Sequence, residues 1–253
     1  MNHNRILKPL LIALFWLAVW QGLAALVHNR IFLAGPAETL SALVRLLPTL
    51  SFWRTVGYSC ARVLTGFALA GLAGLGLAAL GHRLPVVGEL LSPILRLMRA
   101  VPVASFVILA LLWAGSRRLT AVVVFLIVLP VIYAGARAGL SQADPAMLEV
   151  ARVFRVGPGR RLWHIYRPAL LPHLASALGV AVGLAWKSGV AAEVIGVCTD
   201  SIGERLYMSK LYLETDQLFA WTAVIVALSW LSEKLLARLL ERWTPGGRKG
   251  GAA

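Results

Sequence analysis

Three polar side chains interrupt an otherwise apolar stretch near residue 190, namely Lys187, Ser188 and Glu193. A charge at the centre of a membrane helix costs about 2.5–3.5 kcal/mol, so such residues face water or a partner. Lys187 and Glu193 lie about 120° apart around a regular helix and do not face each other. Two interpretations stay open: the three residues line a translocation path or outer gate, with Lys187 favouring an anionic solute, or they form a structural ion pair at a subunit interface.

The sequence shows no other grouping of side chains that could carry out catalysis or bind a metal. Cys60 and Cys198 are the only cysteines, and neither has a second Cys or a His at ligand spacing. A Gly-x-x-x-x-Gly-Lys-Ser/Thr loop, which would hold nucleotide phosphates, is missing too. The histidines are dispersed, at His3, His28, His82, His164 and His173. We therefore expect no catalytic residue, no metal and no cofactor in this chain.

The elements that must position these residues are membrane helices. Only 14% of the residues are charged and 59% are hydrophobic, whereas a soluble domain has about 25% charged residues. Long apolar runs in lipid must be helical, because the backbone has no water to bond. The sequence thus predicts an all-α membrane protein with one domain, 1–253, built as a six-transmembrane-helix bundle. The predicted spans are 7–27, 61–81, 85–115 (long and broken), 119–140, 168–196 and 218–240.

Basic residues near the span ends predict the orientation of the bundle. Cytoplasmic connections carry an excess of Lys and Arg, which also explains the net charge of +14 without nucleic-acid binding. The basic residues are Arg137, Arg152, Arg155, Arg160, Arg161 and Arg167 after the fourth span, and Arg238, Arg242, Arg248 and Lys249 in the tail. Both termini are then cytoplasmic, the first span stays uncleaved, and the tail at about 244–253 is flexible.

A short amphipathic helix is predicted in the basic connection after the fourth span. Asp144 is a suitable N-cap before Pro145, and Gly157 with the following proline is predicted to end the helix. One face is apolar and comprises Met147, Val150, Ala151 and Phe154. An isolated helix of about ten residues is only marginally stable in water, so its apolar face must pack against another surface. The pattern alone favours the cytoplasmic end of the protein's own bundle.

The triplet at 149–151, followed by the prolines at Pro168 and Pro172, resembles the EAA loop of permease subunits of binding-protein-dependent ABC importers. The resemblance extends over nearly the whole chain and is closest to the nitrate, sulfonate and taurine group. Three positions depart from the family pattern: Val150 replaces the usual Ala, Arg155 stands where the family has Gly, and Ala100 stands where the family has Pro. The other segments that carry the resemblance are 32–36, 62–66, 99–102, 129–130, 144–145, 192–193, 201–203 and 212–216.

This resemblance implies a type I ABC importer permease fold in the inner membrane. It implies a dimer with a second permease copy surrounded by lipid, an extracytoplasmic solute-binding protein, and cytoplasmic ATPase subunits that bind ATP and Mg. The coupling loop, at about 141–167, would contact the ATPase. The residues implied in that contact are Met147, Leu148, Glu149, Val150, Ala151, Phe154, Arg155 and Gly157.

The function implied is ATP-driven import of a small anion, a sulfonate or a vitamin precursor. Two other classes remain as alternatives. An ATP-independent secondary transporter would use Lys187 and Glu193 to couple an ion, but six spans without an inverted repeat argue against it. An integral membrane enzyme would need clustered catalytic residues at one interface, and the sequence shows none.

Overall fold

The structure, a computed structural model, describes residues 3–27, 29 and 32–243. Its described part contains helices and no strand. The tail at 244–253, which the sequence predicts to be flexible, lies outside the described residues. The helices are α1 (His3–Val27), α2 (Pro36–Leu46), α3 (Leu50–Arg83), α4 (Pro85–Ala100), α5 (Val103–Ser141), α6 (Pro145–Val153), α7 (Pro158–Arg161), a π-helical turn (Leu162–Tyr166), α8 (Arg167–Ile195), α9 (Ile202–Leu211) and α10 (Thr215–Trp243).

The third and fourth predicted spans do not correspond to separate helices in the structure. The chain breaks at Val101 and Pro102, so the predicted span at 85–115 consists of α4 and the first part of α5. Helix α5 then has 39 residues, about 58 Å if straight, which is nearly twice a bilayer core. Gly115 interrupts it with φ 66° and ψ 170°, a conformation that glycine adopts at little cost. The fourth predicted span is the part of α5 after Gly115.

This second part of α5 is the centre of the bundle. Its valines and isoleucine at Val124, Val128 and Ile132 are fully buried between α3 and α8. Helix α3 approaches closely because it presents small residues: a Cβ on Gly74 would lie 3.1 Å from Ile132 Cγ2, and one on Gly66 would lie 2.5 Å from a backbone oxygen of α5. Small-residue stripes of this kind allow membrane helices to pack by van der Waals contact.

Within the described residues, four helical segments are long and apolar enough to cross a membrane: Leu10–Val27, Leu50–Arg83, Val103–Ser141 and Pro158–Ile195. The predicted all-α membrane fold agrees with this finding. Helix α10 contains the predicted span at 218–240 but is not among the four, and it carries charged residues towards its C-terminal end. The exact number of six spans therefore stays a prediction.

Candidate functional site

Helix α6, in the basic connection at 141–167, begins as the sequence predicts. The Ala146 backbone N–H donates to Asp144 Oδ1 at 2.9 Å, and Pro145 occupies the first helical position. The side chain of Asp144 thus replaces one of the hydrogen bonds that a helix start leaves unmade. Proline fits there because its missing N–H would have had no helical partner.

The end of α6 differs from the prediction. The helix ends at Val153, and Arg155 adopts the left-handed conformation with φ 49°. The Val156 N–H donates to Ala151 O at 2.9 Å, and the Arg155 N–H donates to Arg152 O at 3.1 Å, which together form a Schellman motif. The expectation that Gly157 ends this helix is wrong, because the chain has already turned at Arg155.

Gly157 instead precedes α7 as its N-cap, with an extended backbone of φ −61° and ψ 153°. Arg161 then reaches back to the end of α6. Its Nε donates to Val156 O at 2.7 Å and its Nη2 donates to Ala151 O at 3.1 Å. The guanidinium thus gives Ala151 O a second donor and satisfies a carbonyl of the loop that follows α6. The loop after α6 is therefore held by the chain itself.

Arg155 is one of the positions at which the sequence departs from the pattern that the resemblance implies. Glycine is the usual residue at the left-handed position of a Schellman motif, because a Cβ there crowds the backbone. The sequence resemblance implies glycine at this position, whereas this chain has arginine, which adopts the left-handed conformation. The chain keeps the geometry and bears the steric cost that glycine would avoid.

The apolar face of α6 does not rest on the protein's own bundle. Met147 is 57% exposed, Val150 53% and Phe154 76%, while Ala151 is buried. Of the remaining residues predicted to contact the ATPase, Leu148 is half-buried, and Glu149, Arg155 and Gly157 are exposed. The expectation from pattern alone, that the bundle covers this face, is wrong for its three large side chains. The subunit leaves an exposed apolar patch within a basic loop.

Glu193 lies near the other end of α8, about 39 Å along the helix from Arg167. Its side chain is fully buried. Its Oε2 accepts from Ser59 Oγ at 2.8 Å and from the Gly203 N–H at 3.2 Å, and its Oε1 accepts from Thr120 Oγ1 at 3.4 Å. These bonds join α8 to α3, α5 and α9. The carboxylate therefore fastens helices within one subunit.

The N-terminal end of helix α9 packs against the Glu193 carboxylate. Ser201 caps it by accepting from the Glu204 N–H at 3.0 Å, and the Ile202 N–H donates to Ser59 Oγ at 2.9 Å. Gly203 approaches so closely that a Cβ there would lie 2.3 Å from Glu193 Cβ. The sequence interpretation missed Ser59, Thr120 and Gly203 as partners. Only the resemblance of the segment at 201–203 to the family pointed to this region.

Lys187 and Ser188 occupy different surroundings. Ser188 is buried and donates to Leu184 O of its own helix at 2.7 Å. Lys187 is exposed on the subunit surface. In the described part of the chain no ion pair joins Lys187 to Glu193, so the structure does not bring the three predicted residues together at one point. Whether they belong to the translocation path stays a prediction.

The geometry is that of a helical membrane protein with an exposed patch on a basic loop and a buried polar network at the opposite end of α8. The family described as binding-protein-dependent transport system inner membrane component matches residues 66–244. The match covers well over half of the chain. The chain belongs to this family. It is a multi-pass inner-membrane transport permease, and the family is not a class of enzymes.

Individual relatives agree with this assignment. The permease is 27% identical over 236 residues to the taurine transport system permease protein of Escherichia coli (strain K12), covering 90% of this chain and 86% of that one. It is 26% identical over 251 residues to the bicarbonate transport system permease protein of Synechococcus elongatus, covering 94% and 89%. The predicted resemblance to the nitrate, sulfonate and taurine type is confirmed.

A solved structure shares the fold. It is described as an amino acid ABC transporter with histidines, and it aligns with a TM-score of 0.58 at 17% identity, covering 79% of this chain and 94% of that chain. At this identity the likeness concerns the fold alone. Membership of a binding-protein-dependent ABC importer family implies ATPase and solute-binding partners.

Proposed function

We propose that this chain is the permease subunit of an ATP-driven importer and that it couples to cytoplasmic ATPase subunits through α6. ATP and Mg would be bound by those subunits, and a binding protein would deliver the solute. Two relatives are named as transport permeases for taurine and for bicarbonate. The proposed class of solute is therefore a small anion, a sulfonate or a vitamin precursor. One observation carries the coupling: the apolar face of α6 is exposed in the isolated subunit.

Met147, Val150 and Phe154 form a patch on a helix that is too short to be stable by itself. Contiguous exposed apolar side chains rimmed by polar residues mark protein interaction sites. The rim here contains Glu149 and Arg152, both exposed. A partner with an apolar groove would cover the patch and pair with these charges.

The coupling is tested by replacing Phe154 with glutamate and measuring co-purification of the tagged permease with its ATPase. We expect the ATPase to be lost and uptake to stop, while the thermal stability of the permease stays unchanged because the side chain touches little of its own subunit. Tyr212→Glu is the matched control, since that aromatic is 69% exposed and follows α9, far along the chain from α6. Normal ATPase association of Phe154→Glu would refute the coupling assignment.

The same experiment separates the alternatives. A secondary transporter would take up solute without an ATPase, and a membrane enzyme would turn over substrate without transport. Co-purification of the unaltered permease with an ATPase, together with ATP-dependent uptake, would exclude both. If no ATPase co-purifies and uptake does not depend on ATP, the proposed function is refuted.

We also propose that two copies form the pathway along the exposed face of α8. This face comprises Ser176, Val180, Gly183 and Lys187, which recur at helical spacing and are all exposed. A lysine here is costly against lipid, so a second copy or a water-filled path is the expected neighbour. Lys187 would contact the solute, whereas Ser188 and Glu193 would contribute by fixing the position of α8.

Disulfide trapping tests this arrangement. With Cys60 replaced by alanine, Gly183→Cys should form a cross-linked dimer, whereas Val226→Cys on the exposed side of α10 should not. The remaining Cys198 is buried, and burial raises the pKa of its thiol, so it stays unreactive. Equal cross-linking at both positions would contradict the proposed interface.

The proposed topology has six crossings with both termini in the cytoplasm. The third crossing would combine α4 with the part of α5 before Gly115, and the sixth would be α10. Reporter fusions after Ala143 and after Leu213 should report opposite sides of the membrane. The same side for both would refute the topology.

A further inference from the structure

A cavity of about 560 Å³ with a mixed polar and apolar lining lies between α4 and the C-terminal part of α5. It is open to one side and sits at the end of α5 that leads into α6. The walls combine charged and hydroxyl-bearing side chains with a few apolar ones. The polar residues of the lining are Glu89, Ser92, Arg99, Tyr133, Arg137 and Ser141. Neither the α6 patch nor the Glu193 network uses this cavity.

Arg137 is the residue that makes the cavity unusual. Its Nη1 atom is buried and has no hydrogen-bond partner among the described residues. A guanidinium has five N–H donors and cannot be deprotonated in a protein, so burying one of its nitrogens without a hydrogen-bond partner is unfavourable. An arginine in such a place calls for a partner that the subunit does not itself supply.

Two glycines make room for this guanidinium. A Cβ on Gly88 would lie 3.2 Å from Arg137 Nη2, and a Cβ on Gly81 would lie 3.4 Å from Arg137 Nη1. The backbone atoms of these glycines also approach closely, since a Cβ on Gly81 would lie 3.2 Å from the Gly88 Cα. The ends of α3 and α4 therefore form a slot that positions the guanidinium beside the cavity.

The charges on the walls leave an excess of one positive charge. Arg99 lines the same cavity, and its Nε donates only weakly within its own helix, to Leu95 O at 3.4 Å. Glu89 is on the wall, yet in the described part of the chain it forms no ion pair with Arg99 or Arg137. Arg96 does not line the cavity, and it bonds instead to Ser92 Oγ at 2.8 Å. Because two guanidinium groups and one carboxylate line the cavity, a bound monoanion would balance their net charge.

We propose that this cavity binds a small oxyanion group, held by Arg137 and Arg99, with Glu89 competing for the same guanidinium groups. Planar guanidinium groups bind carboxylate, sulfonate or phosphate oxygens through paired N–H donors. The oxyanion could belong to a transported solute, in which case the inference rests on the proposed function, or to the headgroup of an anionic lipid. Both sources offer the same chemistry, and the experiment distinguishes them.

The test is equilibrium binding of radiolabelled sulfate and radiolabelled taurine to the purified full-length permease in a non-ionic maltoside detergent. We expect at least one probe to bind, Arg137→Gln to weaken its affinity about tenfold or more, and Glu89→Gln to strengthen it. Arg54→Gln is the matched control, because Arg54 is an exposed arginine of α3 that does not line the cavity, and this variant should bind as the unaltered chain does. Arg137→Gln should change the melting temperature little, because the buried Nη1 has no hydrogen bond to lose. If that variant does not fold, Arg99→Gln tests the same cavity from an exposed position.

A second arm uses nanodiscs that contain either phosphatidylglycerol or phosphatidylcholine. If a lipid phosphate is the natural occupant, native mass spectrometry should find phosphatidylglycerol retained on the unaltered chain and lost from Arg137→Gln, and the lipid should compete with sulfate. The proposal is overturned if neither probes nor lipid bind, or if binding is insensitive to both Arg137→Gln and Arg99→Gln. ATPase co-purification, measured in parallel, reports on the proposed function independently of anion binding.

Discussion

Replacing Arg155 with glycine should stabilise the end of α6. Arg155 has φ 49°, in the left-handed region, where a non-glycine residue costs about 1–2 kcal/mol. Glycine removes this cost but loses about 0.5–1 kcal/mol more conformational entropy on ordering. The net gain is about 1 kcal/mol. Because the Arg155 side chain is exposed, its removal should otherwise change little in the subunit.

Hydrogen exchange measured by mass spectrometry on the purified permease can detect this gain. Amides of α6 and of Val156 exchange when the Schellman motif opens, so about 1 kcal/mol should slow their exchange about fivefold. Peptides from α3 and α5 serve as internal references and should not change. The effect should be confined to residues of the coupling loop.

Arg152→Gly is the matched control, because it makes the same change of side chain within the same helix. Arg152 is exposed and lies in the last turn of α6, where glycine costs up to about 1 kcal/mol. Exchange should therefore become faster by up to about fivefold. If both variants change the exchange rate in the same direction, loss of charge explains the result and the left-handed geometry does not.

The other predictions concern packing and are checked by thermal unfolding in detergent. Gly203→Ala should destabilise the protein by about 1–3 kcal/mol because its Cβ would meet Glu193 at 2.3 Å, whereas Gly183→Ala, with nothing within 4 Å, should be neutral or mildly stabilising; equal melting temperatures would contradict this. Glu193→Ala should cost about 1–3 kcal/mol more than Glu193→Gln, which keeps an acceptor for the buried donors, and the reverse order would contradict the network. Ser232→Ala should cost about 1 kcal/mol by removing the acceptor of Trp186 Nε1 at 3.0 Å, and an unchanged melting temperature would argue against that bond.

The start of α6 was predictable from sequence because its interactions are local. Asp144 and Ala146 are two residues apart, so residue type and order suffice to foresee their hydrogen bond. The end of the same helix was not foreseen, because Gly157 offered an obvious stop. The choice of Arg155 as the left-handed residue depends also on Arg161, which reaches ten residues back to Ala151 O.

The hydrogen-bond partners of Glu193 also could not be predicted from the sequence. An intramembrane Glu193 was predicted to need partners, and it has them, but they come from elements far away in the chain. Ser59 is 134 residues from Glu193, and Thr120 is 73 residues away. No periodicity or spacing connects residues at these separations. The sequence therefore indicated that partners were necessary without indicating which ones they are.

The amino-acid sequence by itself determined the class of this protein. Its long apolar runs must be helical in lipid, because their backbone groups have no other hydrogen-bond partners there, and its loop motif carries the family resemblance. Only the tertiary structure decided which side chains are covered. Packing left Phe154 exposed, buried Glu193 among hydroxyl groups and placed Arg137 beside an open cavity. The reason is physical: backbone hydrogen bonding acts over a few residues, whereas burial depends on which distant helices meet.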